Sequence, residues 1–211
     1  MKTLEQQLQS AGLKASGCCL KLSTAYGDDL LQASQLLQDM TPAEADILGA
    51  SMLLIQAQPG DVLIREGDAG EWMLLLLKGT VDITKRIEIR ADDAVTDTPS
   101  DAAVRAAPDG INAKLGSDTS VAAPPNVFSR VAVIRRGAAI GEMSMLDSEP
   151  RYASCTAIEA VEAGALGRRE IGQLIRDHPA VGAKLLVKIT QLMAQRLRNT
   201  SNQLVKLLHK Q

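Results

Sequence analysis

Between Gly137 and Ala157 the sequence reads GAAIGEMSMLDSEPRYASCTA, and its charged residues suit a binding site. Gly141-Glu142 ends a strand-like stretch, and MSML fits a single helical turn. The first amides of such a turn lack intrahelical partners and carry positive partial charge, so they favour an anion. Nine residues after Glu142 stands Arg151, behind the turn Asp147-Ser148-Glu149-Pro150 that folds the chain back. A guanidinium placed there offers a planar fork to two oxygens of one phosphate. Glu142 would repel that phosphate, but its carboxylate can accept a hydroxyl hydrogen, as a sugar supplies. Phosphate and sugar hydroxyl together point to a nucleotide.

Other chemistry is poorly provided for. The two histidines, His178 and His209, lie 31 residues apart, and Cys18, Cys19 and Cys155 form no spaced set. No metal site is expected, and the odd cysteine count fits a reducing compartment. Ser144 and Ser154 have no nearby His to make a hydrolase and read, with Cys155, as packing residues. Without a general base or a metal-bound water, the chain is expected to bind and not to be an enzyme. The 23 basic and 25 acidic residues give a net charge of -2, against a protein that grips a phosphate backbone. One Trp, two Tyr and one Phe are too few to stack bases along a strand. The apolar run Met73–Leu77 is far short of the roughly 20 residues of a membrane span. The opening MKTLEQQLQS turns polar at once, unlike a secretory signal. A cytoplasmic protein with no membrane span is expected.

The elements that must position Glu142 and Arg151 follow from periodicity. Leu4, Leu8 and Ala11 repeat at helical spacing. After GCC and YGDD, Asp28 or Asp29 is expected to cap a second helix with Leu30, Ala33, Leu37 and Met40 on one stripe. Thr41-Pro42-Ala43-Glu44 is a capping-box start for a helix reaching about Met52. From Leu53 to Leu166 short apolar or alternating runs are punctuated by Pro59-Gly60-Asp61 and Glu66-Gly67-Asp68-Ala69-Gly70, the pattern of an antiparallel barrel or sandwich. A polar, Asp- and Pro-bearing insert at about 87–127 is expected to be a mobile loop or one that orders on a partner. From Arg168 the helical period returns. Ile171, Leu174 and Ile175 precede a stop near His178-Pro179, and one long helix spans Ala180 to Lys210. In it Leu186, Met193, Thr200 and Leu207 fall seven apart, either packing on the barrel or forming a seam for a second copy. Asn199-Thr200-Ser201-Asn202 is a weak polar interruption expected to fray or kink that helix.

The G-E pair, short helix and R-x-A-S of Gly141-Glu142 and Arg151-Tyr152-Ala153-Ser154 resemble the phosphate-binding cassette of the cyclic nucleotide-binding domain family. PGDVLIREGD from Pro59 and KGTV from Lys78 resemble the family's glycine-punctuated early strands, and the helices after Arg168 resemble its hinge and lid. The likeness runs from about Leu37 to Lys210, apart from the insert. It implies an α+β fold: an antiparallel β jelly-roll barrel flanked by N-terminal helices and a C-terminal hinge and lid pair. The domain limits it suggests are a 1–36 extension, a 37–168 barrel and 169–211 helices.

The resemblance also implies site roles. Glu142 would bind a ribose 2′-hydroxyl and Arg151 the cyclic phosphate. Amides around Met143 and Ser144, with that of Tyr152 or Ala153, would hold the other phosphate oxygens. Gly141 would permit close approach, and Arg196 on the last helix would cover the base. Ile140 stands where relatives often carry an aromatic. Tyr152 replaces a small or hydroxyl residue, so it packs on the base, hydrogen-bonds to it, or narrows the pocket. The ligand expected is cAMP, ahead of cGMP. Since the sequence stops at Gln211 with no helix-turn-helix after the long helix, direct DNA binding is not expected. A stand-alone receptor signalling to an effector protein is. The alternatives are a degenerate barrel acting as an interaction module and, within the site, a Glu142–Arg151 pair closed on itself. Met143 and Met145 read as core residues, and Arg135-Arg136 as a solvated strand edge.

Overall fold

The computed structural model describes residues 2–18, 20–87 and 127–209. Its elements in chain order are α1 (Leu4–Ser10), β1 (Ala15–Cys18), α2 (Leu22–Ala33), α3 (Pro42–Ala50), β2 (Leu53–Ala57), β3 (Val62–Ile64), β4 (Trp72–Lys78) and β5 (Thr80–Ile87). There follow β6 (Val127–Arg135), β7 (Ala139–Ile140), α4 (Glu142–Asp147), β8 (Ser154–Ala157), β9 (Val161–Gly167), α5 (Arg168–Asp177) and α6 (Pro179–Leu208).

Two antiparallel sheets, β1-β2-β9-β4-β7 and β3-β8-β5-β6, make the β-roll. Strand β4 shows why its sequence is apolar throughout. Trp72, Leu74 and Leu76 face the interior of the roll, while Met73, Leu75 and Leu77 face the helices. A strand covered on both faces has no polar side to alternate with. The helical layer over the outer face comes from α2, α3, α5 and α6, through Leu22, Leu48, Ile171 and Leu185.

Local starts and stops follow the residues that favour them. Thr41 accepts from the Glu44 amide while Glu44 accepts from the Thr41 amide, and Pro42 sits in the first turn where no N–H is needed. Helix α3 ends at Ala50, two residues before the expected Met52. Helix α2 departs further from expectation. It starts at Leu22, where Lys21 supplies no cap and Asp46 of α3 accepts from the Ser23 amide at 2.8 Å instead, breaks at Gly27 (φ 70°, ψ 177°) and ends at Ala33. Leu37 and Met40 lie beyond it in turns, yet both are buried. Tertiary packing, not a shared helical stripe, is what covers them. The segment read as an interruption at Gly17-Cys18 is strand β1, an edge strand on β2 with a bulge between Ala15 and Gly17.

Ile87 and Val127, expected inside the insert, instead form the last rung of the β5–β6 ladder. The rest of that expected loop lies outside the described residues. Helix α6 runs unbroken through Asn199–Asn202. Its packed face is Val181, Leu185 and Ile189, a four-residue spacing that holds only its first half against the roll. Lys184 binds Glu44 at 2.7 Å and Lys188 pairs with Asp39, tying that half to α3 and the turn before it. Beyond Met193 the side chains of Leu197, Leu204 and Leu207 are exposed. Among the described residues, no helix is long and apolar enough to cross a membrane.

Candidate functional site

Arg151 enters the roll from the turn after α4. Its amide donates to the Asp68 carbonyl at 2.8 Å and its carbonyl accepts from the Gly67 amide at 2.9 Å, so the β3–β4 turn clamps its backbone. The turn before it closes as expected. The Glu149 amide donates to Asp147 Oδ1 at 3.0 Å, and Ser148 takes a left-handed conformation (φ 66°) at the end of α4.

The Arg151 side chain is 3% exposed. Its guanidinium lies 4.3 Å from the centroid of the Trp72 ring, a cation–π contact. Nη1 donates to the Gly141 carbonyl at 2.8 Å, while Nη2 is buried with no hydrogen-bond partner among the described residues. Burial pushes the guanidinium down to about 10, still charged at neutral pH. Two glycines make the space. A Cβ at Gly70 would overlap the guanidinium itself, and one at Gly141 would lie 2.6 Å from Nη1. Gly141 also has φ 78° at the start of α4, a conformation that side chains disfavour.

Glu142 is the first residue of α4 and is 1% exposed. Its Oε1 pairs with Arg196 of α6, not with Arg151, and its Oε2 is buried without a hydrogen-bond partner among the described residues. Arg196 Nη2 also donates to the Ala139 carbonyl at 2.6 Å. The site therefore presents one unsatisfied donor on a buried cation and one unsatisfied acceptor on a buried carboxylate. Such groups are costly when nothing else meets them.

The other residues expected at the site fall as follows. Ile140 is buried in the roll opposite Leu74. Ser144 is buried and its hydroxyl donates to the Pro150 carbonyl at 3.4 Å. Met145 is core, but Met143 is 41% exposed, because α4 is one short helix with only one face on the roll. Tyr152 is 59% exposed. Lys85 Nζ stands 3.9 Å from its ring centroid and donates to its carbonyl at 2.8 Å, so the ring is held outward. Ala153 is partly buried beside it. Ser154 accepts from the Glu66 amide at 3.0 Å, and Cys155 is buried in the roll. Arg136 is exposed, and its Nη2 donates to the Tyr26 carbonyl at 2.5 Å, beside the Gly27 break in α2.

Three positioning residues escaped the sequence reading. Trp72 is the sole tryptophan and provides the face for Arg151. Gly70 leaves room for that guanidinium. Arg168, which in the sequence marked only the return of the helical period, donates from Nε to the Met145 carbonyl at 2.7 Å and from Nη2 to Ser148 Oγ at 2.9 Å. It thereby holds the end of α4. A lone aromatic beside a glycine was the available signal.

The cyclic nucleotide-binding domain model matches residues 126–178, the stretch that carries both Glu142 and Arg151. The segment that carries the site is similar to the cyclic nucleotide-binding domain family. A cyclic nucleotide-binding domain from Methylobacillus flagellatus superposes with a TM-score of 0.67 at 25% identity, covering 98% of this chain and 95% of that one. The catabolite activator protein of Thermus thermophilus has the same fold, with a TM-score of 0.59 at 23% identity over 82% of this chain and 63% of its own. A CRP-like cAMP-activated global transcriptional regulator of Mycobacterium tuberculosis is 25% identical over 181 residues, 86% of this chain. The chain spans 63% of that regulator's length.

Proposed function

We propose that this chain is a cyclic nucleotide receptor, with cAMP preferred over cGMP as its regulatory ligand. The observation that carries the reading is the buried Arg151 guanidinium, whose Nη2 has no hydrogen-bond partner among the described residues, beside the similarly unpartnered Oε2 of Glu142. A cyclic phosphate on Arg151 and a ribose hydroxyl on Glu142 would satisfy both. The amides of Met143, Ser144 and Ala153 would take the remaining phosphate oxygens, with Gly141 and Ile140 shaping the approach. Tyr152, turned outward, leaves the phosphate side open. The Mycobacterium relative's name, a cAMP-activated regulator, supports the choice of ligand.

Arg196 would cover the base only after leaving Glu142. Ligand binding and the position of α6 are thereby coupled, since the ribose hydroxyl and Arg196 compete for one carboxylate. An effector protein reading α6 would receive the signal. The exposed leucines of the second half of α6 suit a homodimer seam. The residues offer a grip on the phosphate and no group to activate water, so no reaction is proposed.

A second reading is favoured by one observation. The cavity at Arg151 is only about 20 Å³, whereas small-ligand pockets are roughly 300 Å³ or more. On that reading the roll binds no nucleotide and serves as an interaction module. Titration calorimetry with cAMP, cGMP and a cyclic dinucleotide decides. Saturable heat with cAMP that Arg151→Ala abolishes supports the receptor, and no heat with any of the three rejects it.

A further inference from the structure

The wall of the small cavity beside Arg151 includes Ala11, at the end of α1. Leu4, Leu8 and Leu13 are 5%, 0% and 6% exposed and belong to the interior cluster of the roll with Ile64, Trp72 and Ile140. The first segment of the chain thus fills space next to the guanidinium.

Only Leu4 and Leu8 of α1 are buried, and its polar groups turn to one another. Among the described residues, every hydrogen bond of residues 2–13 stays inside that segment: Lys2 with Ser10, Thr3 with Gln6, Gln7 with Lys2, and the amides of Ala11, Gly12 and Leu13 back onto α1. Nothing polar joins α1 to the roll. Its capping box satisfies its own first turn. On its other side a gap of about 190 Å³, edged by Lys2, Gln7, Arg169 and Arg176, separates it from α5. Gly12, with φ 82°, is the joint to the edge strand β1. A helix that is internally satisfied and attached only by apolar contact can leave as a unit without stranding a polar group.

We propose that α1 is an intramolecular plug, seated in the ligand pocket beside Arg151 and displaced when nucleotide binds. The inference rests on the receptor reading and explains why the cavity is small although Nη2 of Arg151, in its wall, has no hydrogen-bond partner among the described residues. The seated form lowers apparent affinity by the fraction of molecules that are open. Leu8, the most buried residue of α1, is the anchor.

The test compares the full chain with its Leu8→Asp variant, which drives α1 into water. Two readouts are used: cAMP titration by calorimetry, and acrylamide quenching of the single tryptophan, Trp72, without nucleotide. In the variant, cAMP binds about tenfold tighter, as expected if about one molecule in ten is open in the parent chain, and Trp72 is quenched more readily. Hydrogen exchange across residues 4–10 of the unmodified chain, with and without cAMP, guards against a variant that misfolds. Faster exchange with cAMP supports the plug. Equal affinities, or α1 amides equally protected in both states, overturn the plug and leave the receptor standing. If neither chain binds cAMP, the receptor reading itself fails, and unchanged Trp72 quenching then removes the plug separately.

Discussion

Arg196 of α6 and Glu142 of α4 form an ion pair across 54 residues of sequence, with the carboxylate side chain 1% exposed and the guanidinium 43%. The last helix is anchored on the same carboxylate that is proposed to meet the ribose. That places the lid and the ligand in competition.

Breaking this pair from either side should be unequal. Arg196→Ala leaves the Glu142 charge buried and should cost about 1–3 kcal/mol, less than a fully buried pair because Arg196 is partly in water. Glu142→Gln should cost less. In urea unfolding the double variant should be less destabilised than the sum of the two, and strict additivity would show that the pair is uncoupled.

Arg151 should matter for binding and not for stability. Arg151→Met keeps the length of the side chain and removes a buried cation that has no anionic partner. Its melting temperature is expected to equal or exceed that of the parent, while cAMP affinity falls by about 2–5 kcal/mol. A sharp drop in melting temperature would make Arg151 a structural residue.

The two glycines around that guanidinium should respond differently. Gly141→Ala meets Ile64 Cδ1 at 2.9 Å as well as Nη1, at φ 78°, so it should destabilise the fold by about 1–3 kcal/mol. Gly70→Ala carries no such backbone strain, and the three atoms nearest its Cβ all belong to the Arg151 side chain. Calorimetry should find it folded but weak in cAMP binding, with Trp72 fluorescence shifted. A Gly70→Ala chain that binds like the parent would place the phosphate elsewhere.

Burial pushes the Cys155 thiol up to about 12 from its ordinary 9. The neutral thiol is the form favoured by folding, so its contribution to stability is complete below pH 9 and is lost as pH rises through about 12. In a Cys18→Ser, Cys19→Ser chain, a disulfide reagent at pH 8 should leave Cys155 unmodified until urea unfolds the protein. Rapid labelling under native conditions would contradict this burial.

The second half of α6 should be a self-association surface. Leu197, Leu204 and Leu207 are 69%, 58% and 65% exposed on an unbroken helix. Sedimentation should give a dimer, and Leu204→Glu should return a monomer, since a charge in the seam is disfavoured. A parent chain that sediments as a monomer would dismiss the seam.

What the sequence carried on its own was local. Thr41, Pro42 and Glu44 supply one another's hydrogen bonds within four residues, so that helix start is legible without the rest of the molecule. The same holds for the turn at Asp147–Pro150, whereas Gly141-Glu142, read as the end of a strand before a turn in MSML, instead cap and open α4. Periodicity misled where burial came from elsewhere. Leu37 and Met40 looked like a helical stripe but are covered by tertiary contact alone.

The tertiary structure decided the partners. Trp72 reaches Arg151 across 79 residues and Arg196 reaches Glu142 across 54, and no periodicity encodes contacts at that separation. A charged side chain announces what it can bind, while the long-range packing of β4, α1 and α6 sets which groups it meets and which it lacks. The composition around Gly141 and Arg151 specified a nucleotide-like chemistry. Whether that chemistry faces an open pocket or a seated helix depends on Leu8 and Ala11, more than a hundred residues away.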